Sequence, residues 1–289
     1  MCPSPLPFFD THAHLDLDPF ADDFQDVQKR LVNGNLPNGF TIKELEKIEW
    51  TMQGVVLPGI DVESSRRCVE LAKTAEFFYA AVGIQPNSTA AAKPGDWEKI
   101  LELQSSAKVV GIGETGLDRY WDTSPIEIQQ DFFQKHLELA RTTKKPILIH
   151  CRDAWSDLLP ILRLESDGLT GLIHAFSGEP QHALECVALG LSISFAGSVT
   201  YTNKKFAPLW ETAKVVPEER LLIETDSPYM VPHPFRSKLH RNDPSLASAV
   251  AVRLAELRGV SIERIAIATT ENAQRFFGGE GGKFSSRGP

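Results

Sequence analysis

Eight short apolar or β-branched runs punctuate the chain, most of them ending in polar residues and followed by a segment of helical period. They are Phe8–Thr11, Gly54–Leu57, Phe78–Ile84, Val109–Gly113, Pro146–Ile149, Gly171–Ile173, Leu191–Phe195 and Leu221–Glu224. Several are apolar at consecutive positions, as strands buried on both faces of a parallel sheet are. Parallel neighbours need a crossover connection, usually a helix, so eight such strands separated by helices predict an α/β fold. The specific expectation is a TIM-like (β/α)8 barrel in a single domain. A length of 289 residues fits one barrel of this class, and 42% hydrophobic with 24% charged residues supplies an ordinary globular core.

The connecting segments carry helix signals of their own. Ser124-Pro125-Ile126-Glu127 reads as a capping box with Pro at the first helical position, and Ile126, Phe133, Leu137 and Ala140 then share one face. Asp243-Pro244 opens a second helix striped by Leu246, Val250, Leu254 and Leu257, and Ile262, Ile265, Thr269, Ala273 and Phe276 mark the last. Both are expected on the outer face of the barrel. Residues 19–53 make a long connection between the first two strands, with helix-like pieces at Phe24–Leu31 and Ile42–Ile48, and read as a peripheral decoration that could also fold over the site. The barrel is expected over residues 1–277, followed by a Gly-rich flexible tail over 278–289.

Composition narrows the function classes. Thirty basic against 38 acidic residues leave a net charge of −8, unlike a protein that coats nucleic acid through long-range charge, although a local basic groove is compatible with it. The longest nearly unbroken apolar stretch, Phe77 to Ile84, is far short of the about 20 residues of a membrane-spanning helix, and no secretory signal is evident. Cys2, Cys68, Cys151 and Cys186 have no CxxC spacing and read as free thiols of the cytoplasm or nucleus.

Chemistry concentrates at the ends of the runs. Asp10-Thr11-His12-Ala13-His14 follows the first, and histidines two apart project to one side of an extended backbone. Glu114, His150 and His174 end three later runs, and Asp226 lies two residues beyond the last. In a parallel barrel these ends converge on one rim, so six metal-ligand side chains meet there despite their separation in sequence. Four imidazoles and two carboxylates exceed one tetrahedral ion and suit two divalent ions sharing a bridging carboxylate. Such a pair can hold a bridging water as hydroxide, which is hydrolase chemistry needing no organic cofactor. His136 and His182 sit within helical patterns, and Cys151 is expected to face away from His150. The glycines of Gly111-Ile112-Gly113-Glu114-Thr115-Gly116 lack a GxGxxG register and are expected to let backbone approach the metals.

At this point the chain resembles the TatD-type metal-dependent deoxyribonucleases of the amidohydrolase superfamily. The stretches that carry the resemblance are Phe9-Asp10-Thr11-His12-Ala13-His14-Leu15-Asp16, Val110-Gly111-Ile112-Gly113-Glu114-Thr115-Gly116-Leu117-Asp118, Pro146-Ile147-Leu148-Ile149-His150-Cys151-Arg152-Asp153-Ala154, His174-Ala175-Phe176-Ser177-Gly178 and Leu221-Leu222-Ile223-Glu224-Thr225-Asp226-Ser227-Pro228-Tyr229. The resemblance implies that His12, His14 and Asp226 hold one metal, His150 and His174 the other, and Glu114 bridges. It also implies a nuclease trimming DNA, often from the 3′ end, with Asp226 accepting the proton of the attacking water. The family is described with magnesium, whereas a four-His set favours zinc or manganese.

Two departures from the family pattern bear on substrate. Gly83-Ile84-Gln85-Pro86 places Gln85 where the family has His, and glutamine cannot carry a proton near neutral pH. The segment Pro234-Phe235-Arg236-Ser237-Lys238-Leu239-His240-Arg241-Asn242-Asp243-Pro244 has extra residues before the Asn. Gln85, Arg152, Arg236 and Lys238, with Arg241 beside them, are the expected substrate contacts, Arg by bidentate geometry and Lys as a point charge. The leading expectation is a 3′–5′ exonuclease on single-stranded DNA ends, catalysed through Glu114 and Asp226. The alternatives are a metal-dependent ester or amide hydrolase, such as a D-aminoacyl-tRNA deacylase, and a protein-interaction scaffold with reduced catalysis.

Overall fold

The computed structural model describes residues 4–37, 39–121 and 123–278. Its strands are β1 (Leu6–Asp10), β2 (Trp50–Pro58), β3 (Phe78–Val82), β4 (Val109–Asp118), β5 (Ile147–Arg152), β6 (Gly171–Ile173), β7 (Ser192–Phe195) and β8 (Leu221–Ile223). They form one sheet in that order with consecutive strands parallel. Just beyond the strands the two edges meet. Thr11 N–H donates to Ile223 O at 3.1 Å, Asp226 N–H donates to His12 O at 2.9 Å, and Ala13 bridges Ser227 in parallel. The fold is therefore the expected (β/α)8 barrel.

The helices are α1 (Phe24–Val32), α2 (Val62–Ala72), α3 (Asp96–Leu103), α4 (Ile126–Thr143), α5 (Trp155–Glu165), α6 (Pro180–Ala188), α7 (Ala207–Val215), α8 (Ala247–Arg258) and α9 (Ile262–Gly278). Alternation along the strands sorts the apolar residues into two layers. Phe9, Val56, Ala81, Val110, Leu148, Leu172 and Leu222 fill the barrel interior. Their neighbours, such as Phe8, Val55, Ile147 and Ile149, join the larger cluster shared with the helices, including Phe133 and Leu137 of α4. None of the helices among the described residues is long and apolar enough to cross a membrane.

Several expectations change in detail. The α9 helix packs outside as expected, but its end does more: Ala273, Phe276 and Phe277 join the interior cluster, with Phe277 stacked on Phe9 at 5.9 Å. Thr270 Oγ1 donates to Pro7 O at 3.1 Å, which places this plug at the start of β1, the end of the barrel away from the loops that follow the strands. The Ser124 capping box does not form, because Ser124 Oγ instead accepts from Ala90 N–H at 3.1 Å and Pro125 occupies the cap position. Asp243 does cap, accepting from Ser245 N–H, although the first turn is a 3-10 one that passes into α8.

In the 19–53 connection, Phe24–Leu31 is helical as α1, whereas Ile42–Ile48 yields only a 3-10 turn at Lys43–Leu45, which seats Ile42 and Leu45 in the core. The connection clasps the segment after β8: Arg30 pairs with Asp243 at 2.6 Å, Arg241 reaches Asp23 at 2.6 Å, and Phe40 meets Phe235 edge-on at 5.5 Å. Cys68, Cys151 and Cys186 are buried free thiols. Burial pushes the Cys186 thiol up to about 12 and Cys151 higher still, which makes them inert. Cys2 and the tail from 279 onward lie outside the described residues.

Candidate metal centre

The six strand-end side chains meet at one mouth of the barrel, arranged around the two oxygens of Glu114. Glu114 Oε2 lies 3.2 Å from His12 Nε2 and 3.6 Å from His14 Nε2. Asp226 Oδ1 completes that side, 3.8 Å from His12 Nε2 and 3.5 Å from His14 Nε2. Glu114 Oε1 faces the other way, 3.1 Å from His150 Nδ1 and 3.4 Å from His174 Nε2. The two nitrogens of each imidazole pair are 3.2 Å and 3.0 Å apart, so each pair aims at a common point.

Local backbone irregularity puts Glu114 there. On β4, Ile112 pairs with Ile147 but Thr115 pairs with Ile149, so one extra residue bulges at Gly113-Glu114 and re-aims the side chain. The glycines serve this bulge. At Gly113 (φ 126°) a Cβ would lie 2.7 Å from Leu148 O, and at Gly116 (φ 137°) it would lie 2.0 Å from His150 O. They let β4 press against β5; the expectation that they bring backbone to the metals is thereby corrected. Ala175 (φ 41°) and Asp226 (φ 53°) adopt left-handed backbone, which costs about 1–3 kcal/mol each where the surroundings impose it. Glu224 Oε1 accepts from Ala175 N–H at 2.7 Å, and His12 O accepts from Asp226 N–H at 2.9 Å, so both conformations are fixed by partners at the site.

A second ring of carboxylates, not singled out by the sequence reading, orients the first. Asp118 Oδ2 sits 2.9 Å from His150 Nε2, leaving Nδ1 to point at Glu114. Glu224 Oε1 lies 3.3 Å from His174 Nδ1. Asp10 Oδ1 accepts from the backbone of both His12 (3.2 Å) and Thr225 (2.9 Å), tying the β1 and β8 ends together. All three stand in the quoted motifs, at even offsets from a ligand residue on the same strand or its extension; that alternation is the signal that marks them.

Burial is the largest influence on the ionisation of every group here; it pushes histidines down and carboxylates up. For Glu114 the His174 charge and hydrogen bonds from His12, His150 and His174 outweigh burial and hold the carboxyl well below its usual range. Asp226 is lowered through His14, and Asp118 is held at about 2 through His150. His14, His150 and His174 are raised by these same carboxylates, whereas His12, desolvated and beside His174, is lowered. The pocket thus keeps Glu114, Asp118 and Asp226 ionised and calls for compensating positive charge. A divalent cation held by these residues would supply that charge with the imidazoles neutral. The donor set fits: His12, His14 and Glu114 form one group of converging ligand atoms, and Glu114, His150 and His174 another.

Of the expected substrate contacts, Gln85 and Arg152 line the cavity of about 460 Å³ that holds His14, Glu114, His150, His174 and Asp226. Arg152 stacks over the Tyr120 ring at 3.7 Å and, among the described residues, makes no ion pair. Arg236 lies over the Tyr201 ring at 4.4 Å and Lys238 is exposed; neither lines that cavity. Arg241 is occupied with Asp23 and Pro19 O. His136 is fully buried in α4, and His182 stacks on Trp155.

Imidazoles and carboxylates gathered at the C-terminal ends of a parallel barrel define a metal-dependent hydrolase. Known proteins place it further. The family model described as TatD related DNase matches residues 9–278, and the chain belongs to that family. The metal-dependent hydrolase YabD of Bacillus subtilis is 40% identical over 270 residues, spanning 93% of this chain and 98% of its own. The 3′-5′ ssDNA/RNA exonuclease TatD of Citrobacter rodentium is 33% identical over 230 residues, spanning 78% and 87%. The crystal structure of YJJV, a TatD homologue from Escherichia coli K12, superimposes with a TM-score of 0.81 at 28% identity, covering 93% of this chain and 97% of that one.

Proposed function

We propose that the chain is a two-metal phosphodiesterase that trims single-stranded DNA from its 3′ end. The observation that carries this reading is Glu114, whose Oε2 faces the His12–His14–Asp226 group while Oε1 faces the His150–His174 pair. His12, His14 and Asp226 would hold one divalent ion, His150 and His174 the second, and Glu114 both. Divalent cations there, zinc, manganese or magnesium, would supply Lewis acidity and a nucleophilic water at neutral pH. Asp226, kept ionised by His14, would accept a proton from the attacking water. Arg152 sets its guanidinium against the substrate phosphate, and Gln85 donates an amide hydrogen bond where no proton transfer is available. Arg236 and Lys238 draw the strand along the rim outside the cavity. The exonuclease name of the Citrobacter relative supports the choice of substrate.

The test is hydrolysis of a short 5′-labelled single-stranded DNA by metal-loaded protein. Shortening from the 3′ end, abolished by chelator and by Glu114→Ala, is expected; cleavage indifferent to both refutes the proposal. One observation favours a second reading, an ester or amide hydrolase such as a D-aminoacyl-tRNA deacylase: Gln85, an amide, lines the cavity. Aminoacyl esters assayed on the same preparation separate the two, since exclusive DNA cleavage removes the rival.

A further inference from the structure

Among the described residues three aromatic side chains are exposed, Tyr120 (53%), Trp121 (52%) and Tyr229 (56%), and all three stand at the mouth of the metal-ligand cavity. Trp121 and Tyr229 line it directly. Tyr120 packs edge-on against Trp121 at 4.9 Å and carries the Arg152 guanidinium on its face at 3.7 Å. Exposed aromatics cost solvation, and elsewhere on the chain every described Trp, Tyr and Phe is at least partly covered. Their concentration here leaves aromatic surface open to solvent at the mouth of the cavity.

The backbone holds them in register with the candidate ligands. Asp118, whose Oδ2 meets His150, uses Oδ1 to accept the N–H groups of Tyr120 (2.8 Å) and Trp121 (3.0 Å). Tyr229 N–H donates to Asp226 O at 2.9 Å, and its ring lies 6.3 Å from that of His14. Trp121 follows β4 and Tyr229 follows β8; in a closed eight-stranded barrel ordered β1 to β8, those strands are diametrically opposed. The two rings therefore flank the mouth from opposite sides, and the Arg152 cation lies on the Trp121 side, 5.7 Å from that ring.

We infer that Trp121 and Tyr229 form a stacking clamp for the unpaired bases of a single-stranded nucleic acid end, with Arg152, braced on Tyr120, taking the adjoining phosphate. This rests on the phosphodiesterase reading of the same site and extends it to how the strand is recognised. Aromatic faces accept any base, because every base presents a π-face, so the clamp gives single-strand preference without sequence preference. Bases paired and stacked inside a duplex have no such face to offer, so a blunt duplex end has to fray before it is engaged.

The experiment measures binding in chelator, where cleavage is absent, by fluorescence anisotropy of a 5′-labelled DNA strand and of a strand of equal length whose 3′-terminal nucleotides are abasic. Wild type is expected to bind the base-bearing strand more tightly. Trp121→Leu and Tyr229→Leu should each weaken that binding by about five-fold to a hundred-fold, leave the abasic strand unchanged, and keep the wild-type circular dichroism spectrum. Trp121→Phe, which preserves a ring, should restore most of the difference. Equal affinity of wild type for both strands, or equal weakening of both by the Leu variants, overturns the clamp. A wild type that binds in the base-dependent way yet, loaded with metal, cleaves no strand leaves the clamp standing and removes the phosphodiesterase reading alone.

Discussion

His136 gives the chain a pH-dependent stability that can be worked out from its surroundings. It is wholly buried in α4, its Nε2 accepts Ile84 N–H at 3.0 Å, and its Nδ1 lies 2.6 Å from Phe132 O. The acceptor role at Nε2 requires the neutral ring with its proton on Nδ1. Burial, the dominant influence, lowers its pKa from 6.5 to about 4, with Lys135 adding to the effect and the Phe132 bond opposing it. Above about pH 6.5 the ring is neutral in both the folded and the unfolded chain and contributes no pH dependence. As pH falls below that value the unfolded chain takes up a proton that the folded one refuses, so stability declines until the folded pKa is reached. Each unit is worth about 1.4 kcal/mol, which gives a loss of about 2 kcal/mol between pH 8 and pH 5 and about 3 kcal/mol by pH 4. Urea unfolding of wild type and His136→Gln in metal-free buffer at pH 8 and pH 5 isolates this contribution, since every other titrating group is common to both. Wild type should lose about 2 kcal/mol more than the variant over that interval. Parallel pH dependence in the two proteins would show that His136 is not held neutral in the folded chain.

Other outcomes follow from the same structure. Asp118→Asn removes the carboxylate that orients His150 and should lower metal affinity or activity about ten- to a hundred-fold, as measured by competition against a chelating dye. Gly116→Ala forces a Cβ to within 2.0 Å of His150 O at a φ of 137°, so thermal unfolding should reveal a loss of more than about 2 kcal/mol; unchanged stability contradicts the β4–β5 packing described above. Phe277→Ala opens the interior plug and should destabilise by about 3–5 kcal/mol in urea titrations while leaving the metal-ligand mouth intact. Micromolar zinc or manganese should raise the melting temperature of the metal-stripped wild type, and raise that of a His12→Ala, His14→Ala double variant, which keeps the Glu114–His150–His174 group, by clearly less, read by scanning calorimetry.

Much of the barrel is legible because its strands are buried on both faces and so leave continuous apolar runs; Gly171–Ile173 matches its strand residue for residue. What is lost is lost for physical reasons. β4 extends to Asp118, past the expected end at Gly113, because the apolar run is broken by Glu114, whose side chain enters the mouth, and by Gly113 and Gly116, which press against β5. Ile42, Leu45 and Ile48 recur every third residue, a spacing a 3-10 turn satisfies as well as an α-helix, and only the turn forms. The Ser124 signal fails because a backbone N–H from another loop competes for the same oxygen. At the site, residues that end strands are readable since topology alone gathers them. Arg241 is not, because its partners at Pro19 and Asp23 lie more than two hundred residues away and nothing local announces them.

The proposed hydrolysis needs two cations, one on either side of Glu114. Anomalous diffraction at the absorption edge of the bound metal, from crystals grown with zinc or manganese, locates them. Two peaks about 3.5–4 Å apart, one among His12, His14 and Asp226 and the other beside His150 and His174, are the predicted result. A single peak, or peaks away from Glu114, would contradict it.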